Sequence, residues 1–441
     1  MFSKIKLSLG KINYKLFFGL LVLGLAPTIY TTVRVFFLGQ LPGEWSFSIA
    51  GQLSWVNLFY EILNEAIILP LFYFMGKVKD DKKEFSNRLR TGMLISLGVY
   101  AALSAVVLIF AEQLLALMAT DTSIIAASAS YIRIECIANV FSILTQFALV
   151  ALITVNKSRY LYALTGARLI LCLVSDTFLV STLSVSANLG VNGIGFSNIL
   201  VNMLLLLVSL MLLSKEGIKI FGKFRLDFSW AREFFKIGGI SGVESLVRNV
   251  AYMVMIARMV NVVGEQGTYW VANNFIWGWL LLPVIQLGEL IKHEASTDKE
   301  NVRRNSLGYF GITAIIAALW FASIPLWNPF MTHALGFTDV DKLFDLVLIL
   351  IGFYVLYAFQ NVFDSTFYGL GKTNYMLFES VVTNTLYYGA AFILYATNVW
   401  TPSLTGIALL FGIGNAFDSI VSLIAYIFLL KKERINILRV E

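Results

Sequence analysis

"TTVRVFFLG", residues 31–39, and "SLVRNVAYM", residues 245–253, each set one arginine in an otherwise apolar run, half a chain apart. Arg34 and Arg248 stand 214 positions apart, and three further landmarks keep nearly the same interval. Pro70 in "IILPLFYFMGKVK" and Pro283 in "LLLPVIQLGELIK" are 213 apart, Lys157 and Lys372 are 215 apart, and Gly193 and Gly406 are 213 apart. Four landmarks in order at one offset mark an internal duplication. The chain reads as two similar halves, 1–221 and 222–441.

What each half is made of follows from composition. The 441 residues are 58% hydrophobic and 14% charged, and the mean hydropathy is +0.77, whereas soluble domains are about 45–50% apolar. Apolar runs of about 20 residues, the length that crosses a bilayer as helix, recur along the whole sequence about twelve times. They centre near residues 27, 60, 105, 140, 172, 203, 248, 278, 317, 356, 385 and 417. The expectation is an all-α integral membrane protein of twelve transmembrane helices in two six-helix lobes. An even number of spans per half gives both halves one orientation, related by a pseudo-two-fold along the membrane normal.

The formal charge of +6 follows loop position. Lys4, Lys6, Lys11 and Lys15, the loop "KVKDDKKEFSNRLR", "NKSR", the 215–232 segment with Lys215, Lys219, Lys223, Arg225 and Arg232, "KHEASTDKENVRR", "GKT" and the tail "KKERINILR" are all basic. The alternate loops "GQLPGEW", "ATDTS", "SVSANLG", "VGEQG" and "NVWTP" hold no Lys or Arg, with Lys342 the main exception on that side. The positive-inside rule then puts both termini in the cytoplasm, with the chain multi-pass in the plasma membrane. The opening segment is read as the first span, since its apolar run continues past Pro27 without a small-residue cleavage pattern.

Several chemistries find no footing. Cys136 and Cys172 form no CxxC pattern, and His293 and His333 have no ligand spacing around them. "GLGKT", 369–373, carries Thr366 where a phosphate loop needs its first glycine. No nucleophile, metal or acid pair stands at recognisable spacing, so neither an enzyme nor a bound cofactor is expected. The basic residues, being in loops, call for no nucleic acid.

Charges inside the spans cost about 2.5–3.5 kcal/mol each at the centre of a helix, so they face the interior, pair and mark function. Glu244 and Arg248 are spaced i, i+4 with the acid first, the favourable order for an ion pair. Arg34 has no such partner in its own helix, and the nearest candidates are Glu61 and Glu65 on the second span. Two readings stand for that group: crowded acids beside a cation that take up a proton, or a fixed salt bridge. Arg34 and Arg248 also suit an anionic group on a substrate. Arg133, Glu135, Arg168, Asp176, Arg258, Glu379 and Asp418 are embedded as well, with Arg168 and Asp176 on one helical face. Asn273, Asn274 and Trp277, with Trp279 and Gln286, offer hydrogen bonds and aromatic surface to a mostly apolar cavity.

The stretches "GLAPTIYTTVRVFFLGQL", 24–41, "LGVNGIGFSN", 189–198, and "GGISGVESLVRNVAYMVMIARMVNVVGEQGTYWVANN", 238–274, together with the six-plus-six layout, resemble the multidrug and toxic compound extrusion (MATE) transporters of the wider flippase and exporter superfamily. The resemblance implies alternating-access export of a small amphiphilic compound by a monomer in the lipid bilayer, against an inward flow of H+ or Na+. It makes Glu244 the seventh-span glutamate and puts Asp364 in the tenth span, where sodium-coupled relatives carry an acid. Coupling-ion candidates are Glu244, Glu61, Glu65 and Asp364; substrate-cavity candidates are Arg34, Arg248, Asn273, Asn274 and Trp277. The sequence departs from many prokaryotic relatives in the first span, where Arg34 stands five before Gly39 in place of their aspartate. A flippase for lipid-linked oligosaccharide, or an exporter of anionic substrates, is the alternative.

Overall fold

The structure, a computed structural model, describes residues 2–43, 45–155, 159–218, 220 and 226–437. The basic residues Lys157, Lys219, Lys223, Arg225 and Arg439 of the loop pattern lie outside the described residues. Every regular element among those described is helical. A short helix α1 (Phe2–Leu9) precedes α2 (Tyr14–Gly39). Then come α3 (Ser46–Gly76), α4 (Lys82–Leu117), α5 (Ile125–Thr154), α6 (Arg159–Leu179), α7 (Val191–Lys215) and α8 (Ala231–Val262). Next are α9 (Gln266–Leu280) and α10 (Leu282–Thr297), a pair bent by 53°. The chain ends with α11 (Glu300–His333), α12 (Val340–Gly369), α13 (374–396) and α14 (Leu404–Lys432).

Ten of these helices are long and apolar enough to cross a membrane, and the α9–α10 pair brings the number to eleven. The rod expected near residue 385 is α13, built from three consecutive pieces, Asn374–Val382, Thr383–Tyr388 and Gly389–Ala396. Glu379, Thr383 and Asn384 dilute its apolar character. The chain is therefore a multi-pass helical membrane protein.

Local chemistry sets the helix ends. Asp81 starts α4 by accepting the amides of Lys83 and Glu84 at 2.9 and 3.1 Å; Ser403 starts α14 by accepting that of Gly406 at 3.0 Å. Such caps satisfy amides that the first turn leaves open. Gly193 and Gly406, one of the repeat pairs, are both the third residue of their helices. A Cβ on Gly193 would stand 2.5 Å from the Leu179 carbonyl oxygen. In α4 the backbone leaves helical geometry at Phe110 (φ −103°, ψ 15°), and the Leu108 carbonyl takes Arg133 Nε at 3.1 Å. Arg133 also meets Glu112 at 3.2 Å, which gives that embedded arginine a structural task.

Packing divides the chain into two compact units, Val33–Met253 and Met1–Thr32 with Val254–Glu441. The division falls within α2 and within α8, so duplication and packing cut the chain at different places. In the 33–253 unit α5 packs against α3, α4 and α7, while α3 lies along the first part of α8. That last approach rests on small residues, which let helices close in lipid where apolar side chains gain little from leaving solvent. A Cβ on Gly238 would stand 2.0 Å from the Ala66 carbonyl oxygen, and one on Gly242 would stand 3.1 Å from Ala66 Cβ. Gly238→Ala should therefore separate α3 from α8 and cost about 1–3 kcal/mol, as overpacking does. A thermal melt in detergent checks this, and an unchanged midpoint would show that the close approach carries no strain to relieve.

In the other unit α12 packs against α10, α11 and α14, and α1 lies on α11. Lys342, the exception to the loop charge pattern, pairs with Glu265, which also accepts Thr268 Oγ1 at 3.0 Å. Past α14, Glu433 accepts Lys299 at 2.5 Å and Lys372 at 3.3 Å. These two ammonium groups hold its carboxyl below the usual carboxylate range, so the contact is present at neutral pH and fades as pH falls through that lowered value.

Candidate functional site

The 33–253 unit carries two charge clusters. Arg34 on α2 is 9% exposed and Asp176 on α6 is fully buried. The guanidinium grips the carboxylate with two bonds, Nε to Oδ2 at 2.9 Å and Nη2 to Oδ1 at 3.1 Å. Nη2 also donates to Asn198 Oδ1 at 3.1 Å, and Asn198 Nδ2 donates to Glu135 Oε1 at 2.8 Å. The planar fork of arginine suits this geometry. Four helices, α2, α5, α6 and α7, thus meet in one buried network. Arg168, on the same face of α6 as Asp176, instead reaches Asn202 Oδ1 at 2.5 Å.

Glu61 and Glu65 are therefore not the partners of Arg34. They belong to the second cluster, because the close approach of α3 and α8 over Ala66 brings Arg248 to their helix face. Arg248 Nη1 donates to both oxygens of Glu244 at 3.1 and 3.2 Å, as the i, i+4 spacing predicts, while Nη2 meets Glu65 Oε1 at 2.5 Å. Glu61 lies within electrostatic reach of Arg248 and Glu65. The Arg248 side chain keeps 31% of its surface exposed against 11% for Arg34. The Arg34 cluster is buried, and the Arg248 cluster is partly exposed.

The second unit carries acids on a different footing. Asp364 on α12 accepts Ser422 Oγ at 2.7 Å and Gln360 Nε2 at 3.2 Å. Gln360 also donates to Asp418 on α14 at 2.7 Å, and Thr383 on α13 donates to Asp418 at 2.6 Å. Glu379, 3% exposed, lies within electrostatic reach of Asp364 and Asp418, and its Oε2 is buried without a hydrogen-bond partner. Three carboxyl groups from three helices are thus gathered among hydroxyls and an amide. Hydroxyl, amide and carboxyl oxygens are ligand types that hard cations take, but among the described residues no group of three acids is placed to hold a metal ion.

Asn273 and Asn274 on α9 are half-buried, and Asn274 Nδ2 donates to the Trp270 carbonyl at 2.9 Å. Trp277 is 41% exposed and meets Tyr357 and Tyr354 edge to face, at 5.6 and 6.3 Å between ring centres. It belongs to the π-helical turn Ile276–Leu280 that ends α9. There Thr28 Oγ1 donates to the Gly278 carbonyl at 3.0 Å, and Trp279 Nε1 donates to Thr32 Oγ1 at 2.9 Å. Irregular helix leaves such carbonyls open; Thr28 of α2 satisfies that of Gly278, while Thr32 takes the Trp279 indole N–H. Two further π turns occur among the described residues, Met253–Ala257 and Thr383–Tyr388, and turns of this kind are frequent at functional sites.

Asp176, Glu379 and Asp418 are legible in the sequence as embedded charges, but not as members of these clusters. The available signal is an acid in a span with no base three or four residues away on its own helix, which demands a partner from another helix. Asn198, Gln360, Thr383 and Ser422 carry no such signal, since single polar residues are common in apolar helices.

A family model described as MatE matches residues 79–178. No curated relative matches the chain by sequence. Among solved structures, the inward-facing conformation of a multidrug resistance MATE transporter of the MOP superfamily is 16% identical, with 92% of this chain and 94% of that one covered at a TM-score of 0.74. The outward-facing conformation of such a transporter is 18% identical, with 97% of each chain covered at 0.69. A MOP superfamily transporter from Pyrococcus furiosus, for which a reversed polarity of the binding pocket suggests a different function, is 17% identical, with 97% of each covered at 0.68. Residues 79–178 thus match the MatE model, and along nearly its whole length the chain shares the fold of MATE transporters solved in inward- and outward-facing forms.

Proposed function

We propose that the protein is a secondary active exporter of small amphiphilic organic compounds, driven by an inward flow of H+ or Na+ across the plasma membrane, with both termini cytoplasmic. The observation that carries the reading is the contrast between the acid clusters. Asp176 is matched by Arg34, and Glu244 with Glu65 by Arg248, whereas Asp364 and Asp418 share hydroxyls and the Gln360 amide, with Glu379 within electrostatic reach of both. A group of carboxyls held by neutral donors can gain and lose a cation, and a change of bound cation is what couples an ion gradient to a change of facing state. Asp364 is the first coupling candidate, and Glu61, Glu65 and Glu244 form the second. Trp277, Asn273 and Asn274, with Tyr354 and Tyr357, offer the aromatic and amide surface that a flat amphiphile takes.

The second reading, export of anionic compounds or of a lipid-linked anion, is favoured by one feature. Arg248 keeps a partly exposed guanidinium between two acids, and its planar fork suits phosphate and carboxylate. The reversed pocket polarity of the Pyrococcus furiosus transporter, which shares this fold, agrees with it.

Flux in proteoliposomes under separately imposed H+ and Na+ gradients, with a panel of cationic and anionic amphiphiles, tests both. Cation export driven by either gradient is the expected result. Flux confined to anions would move the assignment to the second reading and make Arg248 the residue to mutate. Flux of neither kind under either gradient would end the exporter reading.

A further inference from the structure

In an α-helix the Gly308 amide lies opposite the Arg304 carbonyl, one i, i+4 rung. The hydroxyl of Ser8 joins both ends of that rung. Gly308 N–H donates to Ser8 Oγ at 2.8 Å, and Ser8 Oγ donates to the Arg304 carbonyl at 2.6 Å. Ser8 is fully buried. A Cβ on Gly308 would stand 2.8 Å from Ile12 Cδ1 and 3.0 Å from the backbone of Ser8 and Leu9, so the glycine is what admits α1 to this face of α11. Beyond α1 the chain is tied again. Asn13 N–H donates to Glu294 Oε1 at 3.1 Å, and Glu294 Oε2 accepts Asn305 Nδ2 at 2.7 Å and the Tyr309 hydroxyl. Residues 8–13 thus strap the ends of α10 and α11 together.

The outward side of the same segment has a different chemistry. Lys4, Lys6, Lys11 and Lys15 are exposed, beside exposed Leu7, Tyr14 and Phe18. No acidic residue precedes Glu44. A basic amphipathic helix leading directly into a membrane-crossing one lies at the interface, where its lysines meet anionic headgroups.

We propose that α1 is a strap responsive to anionic phospholipid, whose lysine face binds the headgroups and thereby holds Ser8 in the 304–308 rung of α11. With α1 docked, its Lys4 and Lys6, Lys11 in the turn after it and Lys15 at the start of α2 form one array of ammonium groups beside Tyr14 and Phe18. An undocked one would have to order the same residues at the moment of binding. Anionic lipid therefore favours the docked state, as a ligand does when it binds one of two states better. In a zwitterionic bilayer the strap leaves more often, and the ends of α10 and α11 lose their tie.

Hydrogen–deuterium exchange of the full-length protein in nanodiscs tests this, reading peptides that cover 2–13 and 302–312. Exchange of both should be slower with phosphatidylglycerol present than in phosphatidylcholine alone. The difference should vanish in the K4Q/K6Q/K11Q/K15Q variant, whose changes are all at the surface, and shrink at high salt. Equal exchange in the two lipids, or a lipid effect that survives the four substitutions, would overturn the proposal. Gly308→Ala should expel the strap and speed exchange of 2–13 in either lipid; a strap still protected in that variant would count against the geometry. The readout needs no transported compound, so its failure is distinct from failure of the exporter reading.

Discussion

Arg34→Ala should cost about 3–5 kcal/mol of stability, because it strips a buried carboxylate of its cation. Asp176 is fully buried, and both of its oxygens take their bonds from Arg34. Asn198, which accepts the same guanidinium, also holds Glu135, so the truncation leaves a second acid with a displaced donor. The loss comes from the orphaned charge and much less from the pair itself. Replacing both partners by apolar residues, Arg34→Met with Asp176→Leu, should recover most of it, since a buried pair is often no better than well-packed hydrophobes. Thermal melts in detergent give the comparison, alongside flux of the substrate panel. Normal stability with a selective loss of anionic substrates would overturn the structural reading and return Arg34 to the substrate cavity.

Asp364→Asn should reduce gradient-driven flux to the level of protein-free vesicles while exchange of substrate in the absence of a gradient continues. Asparagine keeps the shape, and with its Oδ1 toward Gln360 Nε2 its Nδ2 can donate to the Ser422 hydroxyl, which now accepts, but it carries no charge and exchanges no cation. The fold should survive, because the change removes a half-buried charge from a crowded set of acids, and like charges so close repel. Glu379→Gln should act in the same direction. Unchanged gradient-driven flux in Asp364→Asn would remove this cluster from coupling and pass the role to Glu61, Glu65 and Glu244, where Arg248→Ala would be the next variant.

Span positions were legible because lipid enforces them: each apolar run has to be about one bilayer long. The i, i+4 pairing of Glu244 with Arg248 was legible for the same kind of reason, since it is local to one helix. The partner of Arg34 was not. Nothing in the sequence ranks Asp176 on α6 above Glu61 and Glu65 on α3, because the choice depends on which helix faces come together, and that in turn depends on glycines such as Gly238. The α13 rod shows the other limit, since polar residues that line a protein interior make a span look less apolar than the membrane alone would require. The Asp364 cluster combines both difficulties, with its members spread over α12, α13 and α14.

The cuts within α2 and α8 also have a consequence for how the molecule is made. Residues up to Thr32 are synthesised first, yet they belong with a unit that resumes only at Val254. At a synthesis rate of about 5–20 residues per second, the first half-helix waits roughly ten to forty seconds before the rest of its own unit begins to appear. The 33–253 unit can assemble in that interval. Biogenesis then begins with an unfinished piece held in reserve, and the cell's membrane-insertion machinery, more than the finished fold, has to keep that piece from pairing too early.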